Sequence, residues 1–182
     1  MKSKLGKVAV VFLLIFLGAM VFIVKNDKLR IKDLFIRNKI PSLFLLNDNV
    51  PEIEVINSSG FRETITFTHM GKKALIFILN RSCVPCEKNI AIGERLYDQI
   101  NAHADVLGIV VGEIYQASAL QEALKLRFPL YVPENIQDFL RLFGKSKSSL
   151  TILVREDGKI EWIKIGDLNA DDYLNLKNLI LR

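Results

Sequence analysis

The chain has 182 residues, enough for one ordinary domain and a further segment. Its net charge of +5 is unevenly placed: residues 1–40 hold nine Lys/Arg against two Asp/Glu, and the remainder sixteen against eighteen. The domain itself is thus slightly acidic, which argues against a basic surface for nucleic acid.

Lys2, Lys4 and Lys7 precede an unbroken apolar run of 17 residues, Val8 to Val24. That length is at the short end of the roughly 17–25 residues that span a bilayer. It exceeds the apolar core of a cleaved signal, about 7–15 residues. A cleavage site needs small residues three and one positions before the cut. Gly18-Ala19-Met20 and Ala19-Met20-Val21 both fail at the last position. Residues 1–27 are therefore expected to form an uncleaved signal anchor, a single transmembrane helix whose flanking lysines meet anionic headgroups. In the linker, residues 28–47, Ile31, Leu34, Phe35, Ile40, Leu43 and Phe44 are interleaved with basic residues. This is a short interfacial helix, a second contact patch for the domain or a plain tether, and Pro41 is a natural break.

A domain is expected over residues 48–182. Glu52–Ile56 and Glu63–Phe67 alternate polar and apolar around Ser58-Ser59-Gly60, the pattern of a β-hairpin. Ala74–Leu79 is a short continuous apolar run suited to a central strand. A helix is predicted from Glu87 to His103, with Ile90, Gly93, Leu96, Tyr97 and Ile100 on its buried face. Strand Asp105–Val111, helix Gln116–Leu126, a short extended piece at Phe128–Val132 and helix Pro133–Phe143 follow, the last stopped by Gly144. Ser149–Glu156 and Lys159–Gly166 pair around the Asp157-Gly158 turn, and a helix over Ala170–Leu181 closes the chain. Strands alternating with helices imply parallel β-α-β units, and the closing hairpin adds antiparallel strands. The fold class is α/β, a mixed central sheet with helices on both faces.

The only two cysteines, Cys83 and Cys86, lie between the central strand and its helix. A Cys-x-x-Cys at a strand-to-helix junction makes a reactive dithiol, because the helix N-terminus favours the thiolate at its first turn. Cys83 is read as the attacking thiol and Cys86 as the buried, resolving one; Val84 and Pro85 complete the loop, and Pro85 suits a first turn. Arg81 either lowers the Cys83 pKa or points into solvent. Two bland readings stand beside this one. Half a zinc site would need about four Cys or His ligands, and His69 and His103 lack the spacing. A structural disulfide closing so short a loop constrains the unfolded chain little.

The element order and the dithiol at the first long helix resemble the thioredoxin fold. More narrowly, the chain looks like the membrane-anchored TlpA/ResA-like redoxins. Residues 48–182 carry the resemblance, through Pro51 with the Glu52–Phe67 hairpin, ALIFIL leading into SCVPC, Phe128-Pro129 and TILVREDGKI. It implies thiol-disulfide exchange with protein thiols and disulfides, with Cys83 as nucleophile, Cys86 resolving, no metal and no small-molecule cofactor. It also implies a single-pass protein of the bacterial cytoplasmic (inner) membrane, its domain facing the periplasm or cell exterior. The Lys/Arg count alone points the other way, since Lys25, Lys28, Arg30, Lys32, Arg37 and Lys39 follow the span. A basic-start signal segment and the oxidising exterior favour the outward topology.

Three departures from the family pattern stand out. Leu79-Asn80-Arg81-Ser82 replaces an aromatic stretch before the first cysteine. Ser149 stands where the family has a cis-proline facing the dithiol, so the Ser148–Ser149 bond is expected to be trans and the substrate groove differently shaped. Asn89 stands where members serving cytochrome c maturation often carry Glu. The rival readings are a thiol peroxidase, which would need Thr in place of Asn80, a copper-binding assembly chaperone, which would need a late His, and a redox-inactive interaction domain. Oligomeric state is not legible.

Overall fold

The computed structural model describes residues 45–68, 71–80, 84–144 and 148–182. In chain order they form β1 (Ile53–Asn57), β2 (Arg62–Ile65), β3 (Lys73–Asn80), α1 (Val84–Ile100), β4 (Ala104–Val111), α2 (Ile114–Leu124), β5 (Leu130–Pro133), α3 (Ile136–Phe143), β6 (Leu150–Val154), β7 (Ile160–Ile165) and α4 (Ala170–Ile180). The chain divides into two units, residues 1–40 and 41–182, and the described residues belong to the second. Among them no helix is long and apolar enough to cross a membrane. The expected anchor, residues 1–27, lies outside the described residues.

The seven strands make one sheet in the order β2-β1-β5-β4-β3-β6-β7. β3, β4 and β5 run parallel, and the flanking pairs are antiparallel, so the sheet is mixed as the alternation of elements predicts. β3 is central because it can be: Ala74 to Leu79 are six consecutive buried residues, and only a strand covered on both faces accepts such a run. Leu75, Phe77 and Leu79 join Cys86, Ile90 and Leu96 of α1, Ala117 of α2 and Leu176 of α4 in one apolar cluster. The alternating residues Ile76 and Ile78 project to the opposite face. α3 returns the chain from β5 to β6, and its buried Phe139 and Phe143 stack at 4.4 Å outside that cluster. Helices therefore lie on both faces.

Several element ends differ from those expected. α1 begins at Val84 rather than Glu87 and stops at Ile100, with His103 in the turn beyond. That turn is held by the His103 carbonyl, which accepts from Lys73 N at 3.3 Å. α2 starts at Ile114, because the Gln116 Oε1 accepts from the Glu113 N–H at 2.9 Å, and it ends at Lys125 in the left-handed conformation. Pro133 ends β5 instead of opening α3. The cap of α3 is Asn135, whose Oδ1 accepts from Gln137 N (2.9 Å) and Asp138 N (3.2 Å). The Asp157-Gly158 turn forms as predicted, with Gly158 at φ 82° and its N–H donating to the Arg155 carbonyl at 2.9 Å.

Candidate active site

The site is built where β3 ends and α1 begins. Asn80 closes β3, and Cys86 occupies the first turn of α1 beside Pro85, the early-helix position that a residue without an N–H tolerates. Cys86 is 5% exposed and packs with Leu79 and Ile90 in the apolar cluster. It is disulfide-bonded, and the sequence holds one other cysteine, Cys83. Its sulfur lies 3.9 Å from the Asn80 carbonyl oxygen. On reduction the Cys86 thiol would have that carbonyl as its acceptor. Cys83 and Arg81 lie outside the described residues, as do the side chains of Val84 and Pro85 and residues 145–147.

Ser148 and Ser149 reach the same place from the other side, at the start of β6. No cis peptide bond occurs among the described residues. The Asn80 side-chain amide donates to the Ser148 carbonyl at 3.3 Å, which sets the start of β6 beside the end of β3. Ser149 is 1% exposed, and its side chain turns inward. Its hydroxyl donates to the Gly166 carbonyl (2.9 Å) and accepts from Asn89 Nδ2 (3.0 Å). Its own carbonyl accepts from Gly166 N at 2.8 Å.

Asn89 is the residue whose part sequence reasoning missed. It is fully buried, one turn beyond Cys86 on the inner face of α1. Besides Ser149, its amide donates to the Gly166 carbonyl (2.9 Å), and its Oδ1 accepts from Leu168 N (2.8 Å). The signal was present: Asn89 sits beside Ile90 and three residues after Cys86, on the stripe that Gly93 and Leu96 continue. A polar residue placed there must find partners inside the protein.

A cavity of about 450 Å³ opens at the other end of the sheet, lined by residues including Glu63, Asn101, Asp105 and Tyr131. Burial, reinforced by Glu63, raises the Tyr131 phenol above its ordinary value. Asp105 pairs in register with Ala74 whereas Asn80, beside Cys86, pairs with Val111, so this cavity is remote from Cys86.

Neither a family model nor a curated protein sequence matches the chain. Solved structures do. The thioredoxin domain of a thiol-disulfide oxidoreductase from Bacteroides vulgatus is 19% identical, with a TM-score of 0.66 over 75% of this chain and 99% of that one. A thiol:disulfide interchange protein from Bacteroides sp. is likewise 19% identical, with a TM-score of 0.66 over 76% of this chain and 92% of that one. A peroxiredoxin-like protein from Aquifex aeolicus is 11% identical, with a TM-score of 0.60 over 75% and 88%. The described domain therefore has the thioredoxin-like α/β fold of these redox proteins, in agreement at the level of fold with the resemblance drawn from the sequence.

Proposed function

We propose that the chain is a thiol:disulfide oxidoreductase acting on cysteines of protein partners outside the cytoplasm, held at the membrane by residues 1–27. One observation carries this reading: Cys86, buried in the first turn of the helix after the central strand, is already in a disulfide, and the chain has only Cys83 to supply the other sulfur. The named activities of two structures with this fold point the same way.

In the reducing direction, the Cys83 thiolate attacks one sulfur of a partner disulfide. A mixed disulfide forms and the partner's other sulfur leaves as a thiolate, which takes up a proton. Cys86 then gives up its proton, and its sulfur attacks the Cys83 sulfur. The bond to the partner breaks, the second partner thiol leaves, and the Cys83–Cys86 disulfide is formed. Two electrons have passed to the partner, and the reverse sequence oxidises a partner dithiol. The N-terminal end of α1 favours the negative sulfur at Cys83, and the buried setting of Cys86 keeps the resolving thiol from reacting with solvent oxidants.

The peroxiredoxin-like fold neighbour makes peroxide reduction the rival to test, although Asn80 replaces the Thr that such a site needs. The full chain carrying Cys86→Ser should accumulate covalent partner adducts through Cys83 that collapse with a reductant, and Cys83→Ser should accumulate none. Peroxide consumption without any trapped partner would replace this reading with the rival.

A further inference from the structure

We infer that Asn80 and Asn89 are positioning residues that hold the Ser148–Ser149 loop beside the end of β3 and the first turns of α1, which carry Cys86, and that this bracket favours exchange with extended protein segments over exchange with small disulfides. The inference rests on the oxidoreductase reading and adds the device that aligns the partner.

The two asparagines flank the dithiol in sequence, one closing β3 and the other one turn into α1, and their side-chain amides reach two adjacent residues. Asn80 Nδ2 donates to the Ser148 carbonyl (3.3 Å), and Asn89 Nδ2 donates to the Ser149 hydroxyl (3.0 Å). The loop contains no proline to stiffen it, so hydrogen bonds set its place: the Ser149 carbonyl accepts from Gly166 N at 2.8 Å, and the asparagine amides add to that. The Asn89 end is rigid for a chemical reason. Both amide hydrogens are used, on Ser149 Oγ and the Gly166 carbonyl, while Oδ1 accepts from the Leu168 N–H. Rotating the amide by half a turn would set an N–H against an N–H and a carbonyl against a carbonyl, so one orientation alone satisfies the site. A fully satisfied buried network of this kind specifies geometry. It ties the first turns of α1, which carry Cys86, to the loop and to the end of β7.

An extended partner that pairs its backbone beside the dithiol depends on where that loop stands, whereas a small disulfide needs only access to sulfur. Catalysis is sensitive to such placement.

The test compares mixed-disulfide formation by the full chain, in detergent micelles, with a disulfide-bonded extended peptide and with hydroxyethyl disulfide. For Asn89→Leu the ratio of the peptide rate constant to the small-disulfide rate constant should fall about tenfold, the scale of one net hydrogen bond. Asn80→Ala should lower the same ratio, and because that side chain is only part-buried it guards against a folding failure at Asn89. Asn89→Leu combined with Ser149→Ala should be no worse than the worse single change, since the two share one interaction. An unchanged ratio in both Asn80→Ala and Asn89→Leu overturns the bracket while leaving the oxidoreductase reading intact. A wild-type chain inert towards both disulfides overturns that reading and the bracket with it.

Discussion

The Asn89 side-chain amide donates a 3.0 Å hydrogen bond to the Ser149 hydroxyl, sixty residues later in the chain, and both side chains are buried. Removing Asn89 would strand the Leu168 N–H, which has Oδ1 as its partner. Asn89→Ala should therefore destabilise the fold by about 1–3 kcal/mol, the cost of leaving a buried polar group unpaired. Urea unfolding checks this; an unchanged midpoint would mean that water enters and takes over the bonds.

A second prediction concerns Gly93, in the middle of α1. A Cβ there would stand 2.8 Å from Phe77 Cε2 and 3.3 Å from Phe128 Cε1. Both rings are fully buried and stack at 5.9 Å, so neither can swing away. Gly93→Ala gains about 0.5–1 kcal/mol of helix preference. Overpacking costs about 1–3 kcal/mol and should win. The melting temperature should fall, and a rise would show that α1 can lift from the sheet.

Arg127 gathers the outer face of α1. Its backbone N–H and Nε donate to Glu94 at 2.8 Å each, Nη1 pairs with Asp98, and the guanidinium lies 5.5 Å over the Tyr97 ring. The hydrogen bond from Arg127 holds the Asp98 carboxyl below its ordinary value. A folded-state value below the unfolded one gives stability that is present above the unfolded value and lost as pH falls through the folded one. Arg127→Leu should lower the melting temperature at neutral pH, and the gap from wild type should narrow below about pH 4. The pair is exposed, so added salt should shrink the gap as well. A gap independent of both pH and salt would assign the effect to the stacking on Tyr97.

Thr151 is buried in β6, and its Oγ1 has no hydrogen-bond partner among the described residues. Thr151→Val keeps the shape and removes the orphaned hydroxyl. Stability should hold or rise by about 1 kcal/mol. A loss of similar size would reveal a bound water at that hydroxyl.

These residues also show where sequence was informative. The run Ala74–Leu79 announces a strand buried on both faces, and Asp157-Gly158 and Gly144 mark a turn and a stop by backbone chemistry that is local. Pro133 misled because proline suits both a first helical turn and the end of a strand. The choice is made by β1, where Val55 pairs with Pro133 and the Glu134 N–H donates to the Glu54 carbonyl at 2.9 Å. Such pairing is non-local, as is the placing of β1 beside β5. A candidate dithiol was legible from the Cys83-x-x-Cys86 spacing between a strand and a helix. Its support was not, since nothing in the run near Asn89 names Ser149 or Gly166 as a partner.

The central claim is that Cys83 and Cys86 form a working redox couple. The decisive measurement is the equilibrium reduction potential of that pair in the full chain, titrated against thiol buffers from both directions. One reversible two-electron transition is expected, at about −270 mV for a donor of electrons like thioredoxin or about −120 mV for an oxidant. Failure to find any reversible couple, with the two thiols titrating independently, would contradict it.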